Sequence, residues 1–387
     1  MRVLHILNDV TKRGNGIVNA AVDLAIEQVR AGDEVALAAA RGGYQELLTA
    51  SGVKCLPLDQ TLQPLNLCRA LRRLHKSLRE FRPDVVHAHM RTGLLLALCL
   101  KPFHRFALVG HLHNVHDRLS LLMGFADRVI AVSSSVAETL QAFKIPRRKI
   151  RVVLNGPLGS RRVPGATSIQ PAVLSHPAIV TVCGMSERKG IEELLVAFDL
   201  VARHCPDAHI YLVGDGPEYA RFMKQARKSA NAERIHFEGH QEFPQAYMLG
   251  ADIFVLASRR ESFGLVLIEA REAGCAVVAT NVDGIPEALD GGRAGVLVPS
   301  RDPVALSIEI RRIIEDEERK AELQRCAKRG ISCFTVEAMA KRMQLVYAEI
   351  ASTRNELHRS DSAGRSSDAA LSELHVDDNR LIGDMKR

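Results

Sequence analysis

Long apolar runs are missing from this chain. The longest candidate, Gly93 to Leu100, falls far short of the ~20 residues a membrane-crossing helix needs. The eight cysteines are scattered, with no Cys-x-x-Cys pair, which argues against structural zinc and a disulfide framework and favours a reducing cytoplasm. No Asp-x-Asp occurs, and the acidic run Glu315 to Glu318 reads as a helix surface rather than a metal pair. After the first strand stands Lys12-Arg13-Gly14-Asn15-Gly16, not Gly-x-Gly-x-x-Gly, so a dinucleotide fingerprint is absent. The chain opens directly as a strand, Arg2 to Leu7, and no secretory leader is expected. Negative charge is scarce in the first half: residues 1–165 hold 24 Lys+Arg against 12 Asp+Glu, whereas residues 166–351 hold 22 against 26. An anionic partner is expected for the first half alone, such as an anionic membrane surface or an acidic acceptor. Nucleic acid is not expected, because no recognition motif accompanies the charge.

What is present is alternation. Strand-like runs (Val3 to Leu7, Val35 to Ala39, Val53 to Leu58, Asp84 to His89, Ala107 to His113, Arg128 to Val132, Arg151 to Leu154) are separated by helical segments. Residues 156–177 break the pattern with Pro157, Pro164, Pro171 and Pro177 and read as a linker. A second series follows at Ile179 to Cys183, His209 to Gly214, Ile235 to Glu238, Asp252 to Leu256, Ala276 to Thr280 and Gly295 to Val298. The class is α/β, with two Rossmann-like domains facing each other across a cleft, residues 1–160 and 161–333. Residues 334–351 are expected to form a return helix with an apolar stripe, and 352–387 a mostly disordered tail in which Leu371, Leu374 and Leu381 could mark a docking segment.

Glu261 and Glu269 are the most informative pair. Glu261 falls at the carboxyl end of one strand and Glu269 in the first turns of the next helix, at the edge where open α/β sheets bind ligands. Glu269 stands among Leu265, Val266, Ile268 and Ala270, and a carboxylate in apolar surroundings needs hydrogen-bond donors. A ribose diol offers two. Ser262, Phe263 and Gly264 would present free amides at a helix N-terminus, which suits a phosphate.

Glu261-Ser-Phe-Gly-Leu-Val-Leu-Ile-Glu269 resembles the Glu-x7-Glu signature of retaining glycosyltransferases of family four, whose architecture is the GT-B fold. Other elements agree in order: Gly14 and Gly16, His87-Ala-His89, Asn155-Gly156, Gly184 with Arg188-Lys189-Gly190, Gly214-Asp-Gly-Pro217, and Phe237-Glu-Gly239. The resemblance covers roughly residues 1–350. It implies transfer of a sugar from a nucleotide-diphosphate sugar, UDP-linked, to a glycan or lipid-linked acceptor in bacterial cell-surface polysaccharide or lipopolysaccharide assembly. It implies Glu269 on the ribose, Glu261 on the sugar or reacting centre, and His113 on the donor sugar. Arg188 and Lys189 would clamp the diphosphate, with Gly14, Gly16, Gly184, Gly239, Ser262, Phe263, Gly264 and Leu265 lining the donor. One position departs: the family commonly has Arg after the glycine ending the second domain's first strand, and here Met185 stands there, so Arg188 is expected to supply the cation.

His87 and His89, and likewise His111 and His113, are two apart on strands and share a face directed at the cleft. Zinc competes as their role, but no acidic or cysteine ligand is spaced to complete a site, and neither metal nor cofactor is expected. Leu67 to Arg82 reads as a basic amphipathic helix that either faces the core or lies on an anionic bilayer. The location expected is cytoplasmic, or peripheral on the inner membrane face. Two alternatives stay open: an epimerase or phosphorylase-like enzyme on the same fold, and a degenerate glycan-binding subunit.

Overall fold

A computed structural model describes residues 1–12, 14–114, 118–163 and 168–352. The chain divides into two compact units, Met1–Arg342 and Met343–Arg387. The first unit holds both sheets.

Seven parallel strands build the first sheet: β1 (Arg2–Asp9), β2 (Glu34–Ala40), β3 (Lys54–Pro57), β4 (Val85–Ala88), β5 (Ala107–Leu112), β6 (Arg128–Ala131) and β7 (Ile150–Val152), in the order β3-β2-β1-β4-β5-β6-β7. Six parallel strands build the second: β8 (Ala178–Val182), β9 (His209–Val213), β10 (Ile235–Gly239), β11 (Ile253–Leu256), β12 (Ala276–Thr280) and β13 (Val296–Val298), in the order β10-β9-β8-β11-β12-β13. Each order is that of a doubly wound Rossmann sheet, with the direction of winding reversing between β1 and β4 and between β8 and β11. Both reversals open a crevice at the carboxyl ends of the strands.

The central strands are apolar and buried on both faces, as helix-covered parallel sheets require; Ile253 to Leu256 and Ala276 to Ala279 have no exposure at all. The helix Pro64–Phe81 settles one open expectation: Ala70, Leu74, Leu78 and Phe81 are buried in the core. Its apolar stripe therefore faces the sheet and not a bilayer. Arg69, Arg72, Arg73, Lys76 and Arg79 stay exposed on the other side. Residues 156–163 and 168–177 have little regular structure, apart from the bridge of Leu158 to Thr335. A helix runs over residues 336–352, and Leu371, Leu374 and Leu381 lie outside the described residues.

Candidate active site

The second sheet's crevice is built by the loops after β8 and β11. The β8 loop makes a short 3-10 turn, Glu187–Lys189, and ends at Gly190, the N-cap of the helix Ile191–Ala202. Gly190 has φ of 65°, and a Cβ there would sit 1.9 Å from the Ala257 carbonyl oxygen, so only glycine fits. Arg259 in the β11 loop fastens the turn. Its backbone N–H donates to the Arg188 carbonyl at 2.8 Å, and its guanidinium reaches Glu187, Glu192 and Glu193 at 2.7, 2.9 and 2.8 Å.

Two predicted site residues prove to be partners. Lys189 forms an ion pair with Glu261, and the Ser258 hydroxyl donates to the same carboxylate at 3.3 Å. Burial pushes the Glu261 carboxyl upward, but Lys189, with Arg188 and Ser258, more than offsets this and holds it below its usual range. The Glu261 backbone N–H donates to Asp283 Oδ2 at 2.9 Å, fixing the loop. Arg188 is exposed, and its side chain has no hydrogen-bond or ion-pair partner among the described residues.

Met185, where a cation was sought, is fully buried. Its N–H donates to the Asp215 carbonyl at 2.9 Å and its carbonyl accepts from Glu218 at 3.1 Å, so the side chain belongs to the core. Gly184 beside it is exposed, and Gly239 closes β10 facing open space.

Glu269 lies in the helix Leu265–Ala273. That helix starts at Gly264, whose φ of 88° is left-handed. No amide from Ser262 through Val266 donates to another described residue, which leaves a set of N–H groups at the positive end of the helix. Ser262 is buried with an unpartnered hydroxyl, while Phe263 packs into the core against Phe334 and offers only backbone. The Glu269 carboxylate has no hydrogen-bond or ion-pair partner among the described residues. Burial raises its pKa to about 7; Arg162 pulls it down, and Asp23 and Glu272 push it up.

Sequence reasoning missed that setting. Asp23, on the helix Gly16–Arg30, takes a bidentate ion pair from Arg162 at 2.8 and 2.7 Å, and both are buried. The first half thus brings a closed charge pair up to Glu269. It touches the donor loop too: a Cβ on Gly16 would meet Leu265 Cδ1 at 3.2 Å, while Gly14, with φ of 62°, faces open space. A second link joins the halves where Ser133 caps the helix Ser134–Ala142. There the Ser134 N–H and hydroxyl donate to the Glu287 carboxylate at 2.6 and 3.2 Å.

On the first sheet, the crevice holds five histidines. His5 on β1, His87 and His89 from β4, and His111 and His113 from β5 stack at centroid distances of 3.9 to 5.4 Å. Sequence reasoning did not single out His5. Burial drives all five toward the neutral form, His5 to about 4 and His113 to about 3. Neither ring nitrogen of His111 has a partner. His89, His111 and His113 open onto a cavity of about 570 Å³ that Asn8, Asp59, Gln60 and Thr92 also line. The triplets His5, His87, His89 and His89, His111, His113 each bring ring nitrogens within 4.8 Å of one another, close enough to converge on a cation. Both nitrogens of His89 are already engaged, by His5 at 2.9 Å and by His113 at 3.1 Å, so a cation would have to break those bonds.

Comparison with known proteins agrees with this architecture. The family described as Glycosyltransferase Family 4 matches residues 14–156, and that described as Glycosyl transferases group 1 matches residues 176–316. A glycogen synthase of Mycobacterium tuberculosis is 29% identical over 300 residues, covering 72% of this chain and 71% of its own. The lipopolysaccharide core biosynthesis glycosyltransferase LpsE of Rhizobium meliloti is 28% identical over 324 residues, covering 81% and 87%. Among solved structures, Anabaena HepE in complex with UDP and glucose superposes with a TM-score of 0.76 at 20% identity, covering 90% of this chain and 99% of its own. With each α/β half matched by a glycosyltransferase family model, the first by family four and the second by group 1, the chain is a glycosyltransferase of the GT-B fold.

Proposed function

We propose that the protein moves a hexosyl group, with retention, from a UDP-linked sugar to a glycan or lipid-linked acceptor in bacterial lipopolysaccharide or surface-polysaccharide assembly. The observation that carries this reading is Glu269: a half-buried carboxylate with no hydrogen-bond or ion-pair partner among the described residues, held near a pKa of about 7, beside a row of free amides. Nothing in the described residues satisfies it, and a ribose diol would. The diphosphate would then lie over the amides of 262–266 and meet Arg188 and Lys189. These groups oppose the negative charge that grows on the leaving diphosphate. The sequence has no Asp-x-Asp, and the reading is of a metal-independent reaction in which cations and the helix N-terminus meet the diphosphate charge.

The acceptor would approach from the 570 Å³ cavity. Its hydroxyl attacks the anomeric carbon on the face the diphosphate leaves, and a donor phosphate oxygen takes the hydroxyl proton. His113 would contact the donor sugar from the first half. Glu261, bound to Lys189, orients that cation and can accept from a sugar hydroxyl. LpsE supports the acceptor class and HepE the nucleotide, each by likeness alone. An anionic membrane surface would meet the exposed arginines of the helix Pro64–Phe81, next to Leu62 and Leu65, which are 67% and 77% exposed. No helix among the described residues is long and apolar enough to cross a membrane.

The test is turnover of UDP-sugars with and without acceptor glycans, following the anomeric configuration of the product by NMR. Acceptor-dependent UDP release with retention, lost in Glu269→Ala, is expected. Donor conversion without acceptor would favour an epimerase instead.

A further inference from the structure

The histidines of the first crevice form a directed chain. Gln28 Oε1 lies 2.7 Å from His5 Nε2, His5 Nδ1 lies 2.9 Å from His89 Nε2, and His89 Nδ1 lies 3.1 Å from His113 Nε2. Gln28, His5 and His89 are almost wholly buried, on the helix Gly16–Arg30, on β1 and just after β4. None of these residues belongs to the Glu-x7-Glu loop or to the linker.

A neutral imidazole has one N–H and one lone pair. Burial keeps each ring of the chain neutral. The amide oxygen of Gln28 can only accept, so His5 must carry its proton on Nε2. His5 Nδ1 is then an acceptor, which places a proton on His89 Nε2. His89 Nδ1 is in turn an acceptor, which places a proton on His113 Nε2. Every bond points toward Gln28, and the ring nitrogen of His113 left for a ligand is Nδ1, bare.

We infer that Gln28 is a positioning residue that acts through His5 and His89 to hold His113 as the Nε2–H tautomer, so that it meets a sugar as a hydrogen-bond acceptor. A sugar hydroxyl can then donate to Nδ1, whereas a sugar ring oxygen or carbonyl gains nothing from it. This selects for a hydroxyl at the contacted sugar position, and a deoxy sugar would forfeit the bond. The importance of His113 to turnover rests on the functional reading above; its tautomer does not.

The experiment labels the protein with ¹⁵N-histidine and reads the two ring nitrogens of His113 through their two- and three-bond proton couplings, with His113→Gln giving the assignment. Parent protein should show a protonated Nε2 and an unprotonated Nδ1. Gln28→Met, close in size but without an acceptor oxygen, should shift His113 toward a mixture of tautomers. Gln28→Glu, which still only accepts, should retain the parent pattern and also covers the case in which Gln28→Met does not fold. In turnover, Gln28→Met should lower kcat about tenfold, the scale of one net hydrogen bond, with donor KM changed less than about twofold. An Nδ1–H tautomer in the parent, or an unchanged His113 in folded Gln28→Met, overturns the inference. A shifted tautomer with unchanged kcat upholds the relay and removes His113 from the reaction instead.

Discussion

Lys189 and Glu261 form an ion pair across the point where the second sheet reverses its winding, one from the loop after β8 and the other from the loop after β11. Their side chains are 10% and 13% exposed. Breaking such a pair strands a buried charge, at about 3–5 kcal/mol. Lys189→Met should therefore lower stability by about that amount, whereas Lys189→Met with Glu261→Gln should regain much of it, because no lone charge remains. Neither variant should regain turnover. Chemical denaturation and steady-state kinetics check both halves. The pair also sets a pH response. Glu261 is held below its ordinary range, so its contribution is present above that range and lost as pH falls through the lowered value. Removing Lys189 should abolish this acid-side loss.

Glu269 carries the opposite sign. Its folded pKa of about 7 lies above its ordinary value of 4.5. The folded protein then holds more protons than the unfolded chain across that window, and this group costs stability as pH rises through it. Free Glu269→Gln should melt higher than parent at pH 8, with the gap closing toward pH 5. Donor affinity should run the other way, falling in the parent as pH drops below about 7 and the carboxylate that accepts the ribose hydroxyls is neutralised. Thermal melts with and without UDP, from pH 5 to 8, read both trends.

Ser134 and Glu287 tie the two halves together at a helix N-terminus, where a carboxylate is favoured by the unpaired amides and the helix dipole. Glu287→Ala should leave the donor site whole while loosening the approach of the halves. The expected outcome is unchanged UDP affinity by calorimetry, with acceptor KM raised about three- to tenfold, the scale of one charge-assisted hydrogen bond.

The basic face of the helix Pro64–Phe81 remains available because its apolar stripe is already spent on the core. Replacing Arg69, Arg72, Arg73 and Lys76 with Gln should weaken co-sedimentation with anionic vesicles, at about 1 kcal/mol per charge. Fold and turnover of soluble acceptors should be unaffected. Equal binding of parent and variant would remove this surface from the account.

Much of the architecture was legible because parallel strands buried on both faces must be apolar, and helices must separate them. The alternation announced two Rossmann-like halves, and the Glu261–Glu269 spacing a strand, a loop and a helix. The missing parts depend on distance in sequence. His5 looks like any strand residue until β4 packs beside it. Arg259 is one of two adjacent arginines with no evident task until it meets three glutamates, 72, 67 and 66 residues away. Ser134 and Glu287 stand 153 residues apart. That Met185 turns into the core was not legible, because a one-dimensional pattern does not tell which way a residue turns after a strand ends.

The central claim is that Glu269 grips the ribose of the donor. Calorimetry of UDP, 2′-deoxy-UDP and 3′-deoxy-UDP against parent and Glu269→Gln tests it most directly. Parent should lose about ten- to a hundredfold in affinity when a ribose hydroxyl facing the carboxylate is removed, the value of a hydrogen bond to a charged group. Glu269→Gln should bind UDP weakly and lose much less from the same deletion. Equal affinity of the parent for all three nucleotides would contradict the account.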